Sequence, residues 1–382
     1  MKAKVILATI LILAASCVKN EVREVSIHGD GQILYNPAPL RPMTTKAETP
    51  PPFPTTSTFG SCAWYLPGDN KWDDHHAAVA TDPVAPTPYI PKTEISYNLV
   101  IPNDFNSGVW RNNDKSYYWP MNGSLTFISW SPYELVDNPN FDVTPGDGVI
   151  INGWEMKNTP GYGITTSGED GKSVDILVSY TKDCTRNTAN GKVPTKFSHL
   201  LCKVKVVATL AKPGNQWEIT SVTLSNIYTK ANYSTYVEDD VSKNKLWRDH
   251  SDYLHYKHEP TTHMSVYYDE NGEKGGTDIF PETLFMPQFL DEREKGNPDS
   301  LPMIIIECKN GAGEDKTLKG LLFNRTASSL SVWNQGRSIT YYVTLGEEDT
   351  YIDFDAKVED NDWAYISGDG FNVGVGETVN GK

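Results

Sequence analysis

Between Ile95 and Val358 the chain repeatedly alternates apolar and polar residues with a period of two, and no window carries a sustained apolar repeat of 3.6 residues. Consecutive side chains point to opposite faces only in an extended, pleated strand, so this alternation commits most of the chain to β-structure with one buried face. The clearest runs are Ile95-Tyr97-Leu99-Ile101, Val174-Ile176-Val178-Tyr180, Leu200 to Leu210, Ile339-Tyr341-Val343-Leu345 and Ile352-Phe354-Ala356-Val358. Glu94, Asp175, Lys205, Thr340 and Asp353 occupy the alternate positions. One-sided burial belongs to antiparallel sheets stacked into sandwiches or barrels. The 20 Tyr, 12 Phe and 10 Trp fit pleated, half-buried surfaces, and 29 Gly and 25 Pro supply turns between them. The fold class implied is all-β.

At 382 residues the chain is long enough for two or three domains of roughly 100–200 residues each. The polar segment Lys182–Pro194, with its Asn190-Gly191 turn signal, separates two groups of strands and sets the expected domain boundary at 182/183. A formal net charge of −15 excludes a nucleic-acid binder that works by neutralising phosphates.

The first residues read as a secretory signal: Lys2 and Lys4 precede the apolar run Val5–Leu13, and Ala14-Ala15-Ser16 leads into Cys17. That run is far short of the ~20 residues a membrane-spanning helix needs. Small residues directly before a cysteine resemble a bacterial lipobox, so residues 1–16 are expected to be removed and Cys17 lipidated, tethering the protein to a membrane by lipid alone.

The remaining cysteines, Cys62, Cys184, Cys202 and Cys308, allow three disulfide pairings, and no C-x-x-C spacing suggests zinc or redox chemistry. Strand parity turns Cys202 into a core with Val204, Val206, Ala208 and Leu210, leaves Lys203, Lys205 and Thr209 on the opposite face, and turns Cys308 inward with Ile304 and Ile306. Neither bridge is expected.

The candidate catalytic groupings are weak. His250, His255, His258 and His263 cluster in sequence but match no metal-binding spacing, and their segment reads as a solvated insertion. Asp73-Asp74-His75-His76 on a strand would point to opposite faces. The G-x-G pairs at Gly146, Gly161 and Gly374 lack a following helix, and no nucleophile elbow is present. No enzyme, cofactor or metal is expected. Exposed aromatics offer a second reading, a surface glycan-binding lipoprotein, with Trp72 and Trp110 as the best candidates because polar residues surround them.

A set of short motifs recurs in order after Cys17: Thr45-Lys46-Ala47, Phe59-Gly-Ser-Cys-Ala-Trp-Tyr65, Tyr118-Trp119-Pro120 running to Leu125-Thr-Phe-Ile-Ser-Trp-Ser-Pro132, Phe197-Ser-His-Leu-Leu-Cys-Lys-Val204, Ile219 to Ile227, and Trp333-Asn-Gln-Gly-Arg-Ser-Ile-Thr-Tyr341. Together they resemble the fimbrillin family of the Bacteroidales, the lipoprotein subunits of type V pili. The resemblance implies two Greek-key, transthyretin-like β-sandwich domains in tandem, at residues 47–182 and 183–363, preceded by a leader at 17–46 and followed by an arm at 364–382.

It further implies a structural or adhesive subunit that starts as a lipid-anchored outer-membrane precursor and ends in an extracellular fimbrium. Its partners would be other fimbrial subunits, a processing protease and, for adhesion, a host or bacterial surface glycan or protein. In that family a trypsin-like protease removes the leader, and a neighbour's C-terminal arm fills the groove that the leader strand vacates. Here the cut would follow Lys46 rather than Arg41, because Pro42 makes the Arg41 bond a poor substrate. Val25, Ile27, Ile33 and Tyr35 would form the leader strand. Phe371, Val373, Val375 and Val379, alternating with Asn372, Gly374, Gly376 and Thr378, would form the donor strand, with Glu377 interrupting its apolar face.

Overall fold

The computed structural model describes residues 31–38, 53–81, 88–99, 108–163, 172–214, 216–235, 246–266, 268, 276–290, 300–323, 331–346 and 353–359. Its elements begin with β1 (Leu34–Pro37), β2 (Phe59–Leu66), α1 (Trp72–Thr81), β3 (Ile90–Leu99), β4 (Gly108–Asn112), β5 (Ser124–Ser131), β6 (Phe141–Thr144), β7 (Gly148–Glu155), β8 (Thr159–Gly163), β9 (Lys172–Val174), β10 (Leu177–Cys184), β11 (Lys192–Thr195) and β12 (Ser198–His199). They continue with β13 (Cys202–Leu210), β14 (Trp217–Ser234), β15 (Trp247–His258), β16 (Met264–Ser265), β17 (Thr277–Phe285), β18 (Gln288–Phe289), β19 (Met303–Asn310), β20 (Asp315–Leu321), β21 (Val332–Trp333), β22 (Ser338–Leu345) and β23 (Asp353–Glu359).

Three sheets carry the architecture. The first has eight strands in the order β11-β1-β4-β3-β2-β5-β10-β12. The second runs β20-β19-β14-β7-β6, with β15 and β16 on the other edge of β14, and the third runs β17-β13-β22-β23. The all-β expectation holds, and β13, β22 and β23 lie where the alternation placed strands. Not every pairing is antiparallel: β13 runs parallel to β22, and β1 parallel to β11. Both pairs join segments far apart in the chain, which gives room for the long crossover a parallel pair requires.

The first sheet rolls. Val193 of β11, Tyr35 of β1, Trp110 of β4, Ile95 of β3, Phe59 and Ala63 of β2, Phe127 of β5 and Leu177 of β10 all enter one buried cluster. The Thr181 hydroxyl of β10 donates to the Pro194 carbonyl of β11 at 2.8 Å, bringing the two ends of the roll together. The outer face is buried too. Cys62, Trp64, Ile128 and Trp130 pack with Phe141, Val143, Val149, Ile151, Tyr233 and Trp247 of the second sheet.

The second and third sheets enclose another core, in which Val204, Val206, Tyr341 and Val343 meet Ile219, Val222, Leu224, Ile304 and Ile306. The 18-residue β14 serves both neighbours. Its first half pairs with β19 and its last residues pair with β7, so Ile219 to Ile227 fill one core while Ala231 and Tyr233 fill the other. Two main-chain bonds extend this stitching at the β12–β13 connection: the Leu200 amide donates to the Ile176 carbonyl, and the Leu201 carbonyl accepts from Gly336, both at 2.8 Å.

Several expectations need correction. The boundary at 182/183 falls inside β10, and β11 and β12 beyond it complete the first sheet, while β6 and β7 before it join β14 in the second. Asp73-Asp74-His75-His76 lies on α1 rather than on a strand. The helix is capped by Asp183, whose carboxylate accepts from the Trp72 amide at 2.9 Å, and Asp73 and Asp74 suit its positive N-terminal end. Trp72 faces inward at 0% exposure, and Trp110 is 8% exposed. Polar neighbours in sequence did not mean solvent, because helix and strand geometry separate adjacent side chains. Lys203 is also buried, and its ammonium pairs with Glu282 at 3.0 Å.

Two predictions follow from the packing. Gly60 pairs with Trp130 across β2 and β5, and a Cβ on Gly60 would lie 2.0 Å from Trp130 Cε2. Gly60→Ala is therefore expected to destabilise by about 1–3 kcal/mol. Gly311→Ala, whose Cβ would meet Gln216 Cβ at 3.5 Å, should change stability by less than about 0.5 kcal/mol; urea midpoints compare the two. Cys62, Cys184, Cys202 and Cys308 are free and buried, and burial pushes the thiols of Cys184 and Cys308 up to about 12. In a chain beginning after Cys17 none should react with a thiol reagent at pH 8 until urea unfolds it, and rapid native-state labelling would refute that burial.

Candidate functional site: an N-terminal strand held inside a sheet

β1 is an interior strand. On one side Leu34 to Pro37 run in register with Lys192 to Thr195, and the Ala38 amide donates to the Thr195 carbonyl at 2.8 Å. On the other side Tyr35 pairs with Trp110, and the contact continues upstream along the chain after β4. The Ile33 amide donates to Tyr117 at 2.8 Å, Gln32 bridges Tyr118, and the Trp119 amide donates to Gly31 at 2.9 Å. Residues 31–38 are thus zipped between two segments more than seventy residues apart.

The inward face of this segment is Ile33 and Tyr35, both buried. The Tyr35 ring meets Phe59 at 5.7 Å and 78° and Phe127 at 5.9 Å and 85°, the edge-to-face arrangement that aromatic quadrupoles favour. Burial holds its phenol well above the usual tyrosine range. Nearby the Ser129 hydroxyl donates to the Ser61 hydroxyl at 3.0 Å.

A second aromatic group closes the core. Phe53 stacks on Phe197 at 5.1 Å and 28°, and packs against Phe59 at 5.7 Å and Trp110 at 5.3 Å. The sequence reading missed Phe53, a lone aromatic in the proline-rich stretch Pro50–Pro54, and missed β11 as the partner of the leader strand. A single bulky apolar residue in an otherwise proline-rich linker was the available signal.

Of the sequence-predicted site residues, Ile33 and Tyr35 are brought together on one buried face. Cys17, Val25, Ile27, Arg41, Lys46, Phe371, Val373, Val375 and Val379 lie outside the described residues. The histidines disperse along β15 and just beyond, on a strand paired with β14 rather than in a loop, though most side chains of that strand are exposed as expected. His250 Nε2 meets the Pro287 carbonyl at 2.8 Å, His255 Nδ1 the Ser225 hydroxyl at 2.9 Å, and His263 Nδ1 a Glu218 carboxylate oxygen at 3.0 Å. Burial lowers the pKa of His258. Among the described residues no group of three or more His, Cys, Asp or Glu side chains is placed to hold a metal ion, and no helix is long and apolar enough to cross a membrane.

No curated protein matches the chain. Among solved structures, it is similar to a fimbrial protein from Bacteroides vulgatus ATCC 8482 at 15% identity and a TM-score of 0.52, covering 86% of this chain and 99% of that one. It also aligns with the C-terminally truncated tip fimbrial protein Mfa3 from Porphyromonas gingivalis at 8% identity and a TM-score of 0.38, over 87% of this chain and 99% of that one. At such identities the first likeness speaks to the fold alone. The family comparison reaches further, since the model described as Fimbrillin-like matches residues 76–363, well over half of the sequence, and the chain therefore belongs to the fimbrillin-like family.

Proposed function

We propose that this chain is a structural or adhesive fimbrial subunit, exported as a lipid-anchored precursor and assembled by replacement of its leader strand. The observation that carries the reading is the position of β1. It precedes the expected cut after Lys46, is hydrogen-bonded on both flanks, and with the preceding Ile33 gives Tyr35 to the core of the rolled sheet.

A cut after Lys46 severs β1 from the body while Phe53, downstream of the cut, stays in its aromatic box. Departure of β1 then leaves β4 and β11 with unpaired amides and carbonyls beside the apolar surface of Phe59 and Phe127. A strand from a second subunit satisfies both at once, by main-chain pairing and by alternate apolar side chains. The C-terminal arm has that alternation in Phe371, Val373 and Val375. The net charge of −15 keeps free subunits apart until exchange offsets the repulsion. The glycan reading based on Trp72 and Trp110 loses its footing, since both rings are buried.

Limited trypsin digestion tests the scheme. The expected result is a cut after Lys46 followed by higher-order assembly, and deletion of residues 370–382 should abolish the assembly while leaving the cut. Assembly unchanged by the deletion would exclude the arm as donor. Tyr35→Ala should lower the stability of the uncut precursor by about 3 kcal/mol and speed loss of the cut leader, whereas Tyr35→Phe should preserve both; denaturant unfolding and size analysis read the two effects.

A further inference from the structure

The exposed large apolar side chains Tyr89 (39%), Tyr118 (52%) and Met121 (104%) gather around the turn that precedes β5. Half-buried Tyr65 joins them, its ring 6.3 Å from that of Tyr89. Tyr65 and Tyr89 are fixed from within. The Tyr65 hydroxyl donates to Asn122 Oδ1 at 3.0 Å, and the Tyr89 hydroxyl donates to the Tyr118 carbonyl at 2.7 Å. Gly123 lets the turn close against Tyr65: its φ is +72°, and a Cβ there would lie 2.2 Å from the Leu66 carbonyl oxygen and 2.7 Å from Tyr65 Cε2. Buried Trp119, edge-on to Phe127 at 5.8 Å, anchors the turn from below.

We propose that Tyr65, Tyr89 and Tyr118, with the Asn122 amide, form a binding platform for a neutral saccharide. A pyranose offers an apolar C–H face to stack on aromatic rings and a rim of hydroxyls that hydrogen-bond polar side chains. The three rings supply the first. Asn122 supplies the second, because Tyr65 occupies its Oδ1 and leaves its Nδ2 to donate. The hydrogen bonds that fix the Tyr65 and Tyr89 rings involve no ionised side chain, and the negative charge of the whole chain opposes an acidic sugar. Tyr65 and Tyr89, held before the ligand arrives, lose little side-chain freedom on binding.

Saturation-transfer NMR on the chain from Val18 to Lys382, which keeps residues 31–38 in place beside the platform, tests the proposal, using cellotriose, chitotriose, mannotriose and galactotriose, with a heparin hexasaccharide as the charged comparison. Transfer from at least one neutral triose is expected. Tyr118→Ala and Tyr89→Ala should each weaken it by about tenfold with melting unchanged, while Tyr253→Ala, on a distant exposed ring, leaves it intact. The proposal is overturned by absence of transfer from all four trioses, by binding unchanged in the Tyr89→Ala/Tyr118→Ala double variant, or by binding of the heparin hexasaccharide alone. Glycan-independent capture of a protein partner through the same tyrosines, with no triose binding, would also overturn it.

Discussion

Everything in the first sheet depends on the need of an interior strand for main-chain partners on both sides. Four residues, Leu34 to Pro37, stand between β4 and β11, and no other described segment lies between those two strands. A buried unpaired amide or carbonyl costs about 1–3 kcal/mol, so a gap at this position is unstable and some strand must fill it. Side chains add to the constraint, because Ile33 and Tyr35 complete a core to which seven strands contribute. The strand that does this comes from the leader, the segment expected to be cut away. On the proposed scheme this connectivity is the basis of assembly.

The remainder of the molecule is held together by contacts that do not involve β1. β14 takes part in two cores, pairs along its length with β19, β7, β15 and β16, and is the mechanical link between the rolled sheet and the third sheet. The connection through Leu200 and Leu201 is pinned at both ends, and the Trp247 indole donates to the Leu200 carbonyl at 2.8 Å. Loss of β1 leaves all of these contacts in place. The second core, between the outer face of β2 and β5 and the second sheet, does not involve β1 either.

Much of the fold was legible because strand parity is a local property. Cys202, Val204, Val206, Ala208 and Leu210 are buried on one face as the alternation requires. What was not legible arose where both faces are buried or where geometry turns sharply. β2 and β5 read Phe-Gly-Ser-Cys-Ala-Trp-Tyr-Leu and Ser-Leu-Thr-Phe-Ile-Ser-Trp-Ser, nearly continuous apolar and small residues rather than clean alternation, and both are buried almost throughout. Trp72 and Trp110 were misplaced because their neighbours in sequence are polar while their neighbours in space are aromatic. The boundary at 182/183 failed because Asn190-Gly191 marks a turn between two strands of one sheet, with both residues at positive φ, and turn chemistry alone cannot say whether the strands it joins share a sheet. At the site, Ile33 and Tyr35 entered only through the family resemblance, and β11 was not anticipated, since a parallel partner 158 positions away leaves no local trace.

The most direct test of the account is native-state hydrogen exchange of the uncut precursor at the backbone amides of Ile33, Leu34, Tyr35 and Asn36. If β1 is an interior strand on which the rolled sheet depends, the amides it bonds to β4, β11 and the Tyr117 segment will exchange as slowly as those of β2 and β5 and open with the whole sheet. Exchange of these amides within seconds, while β2 and β5 remain protected, would contradict it.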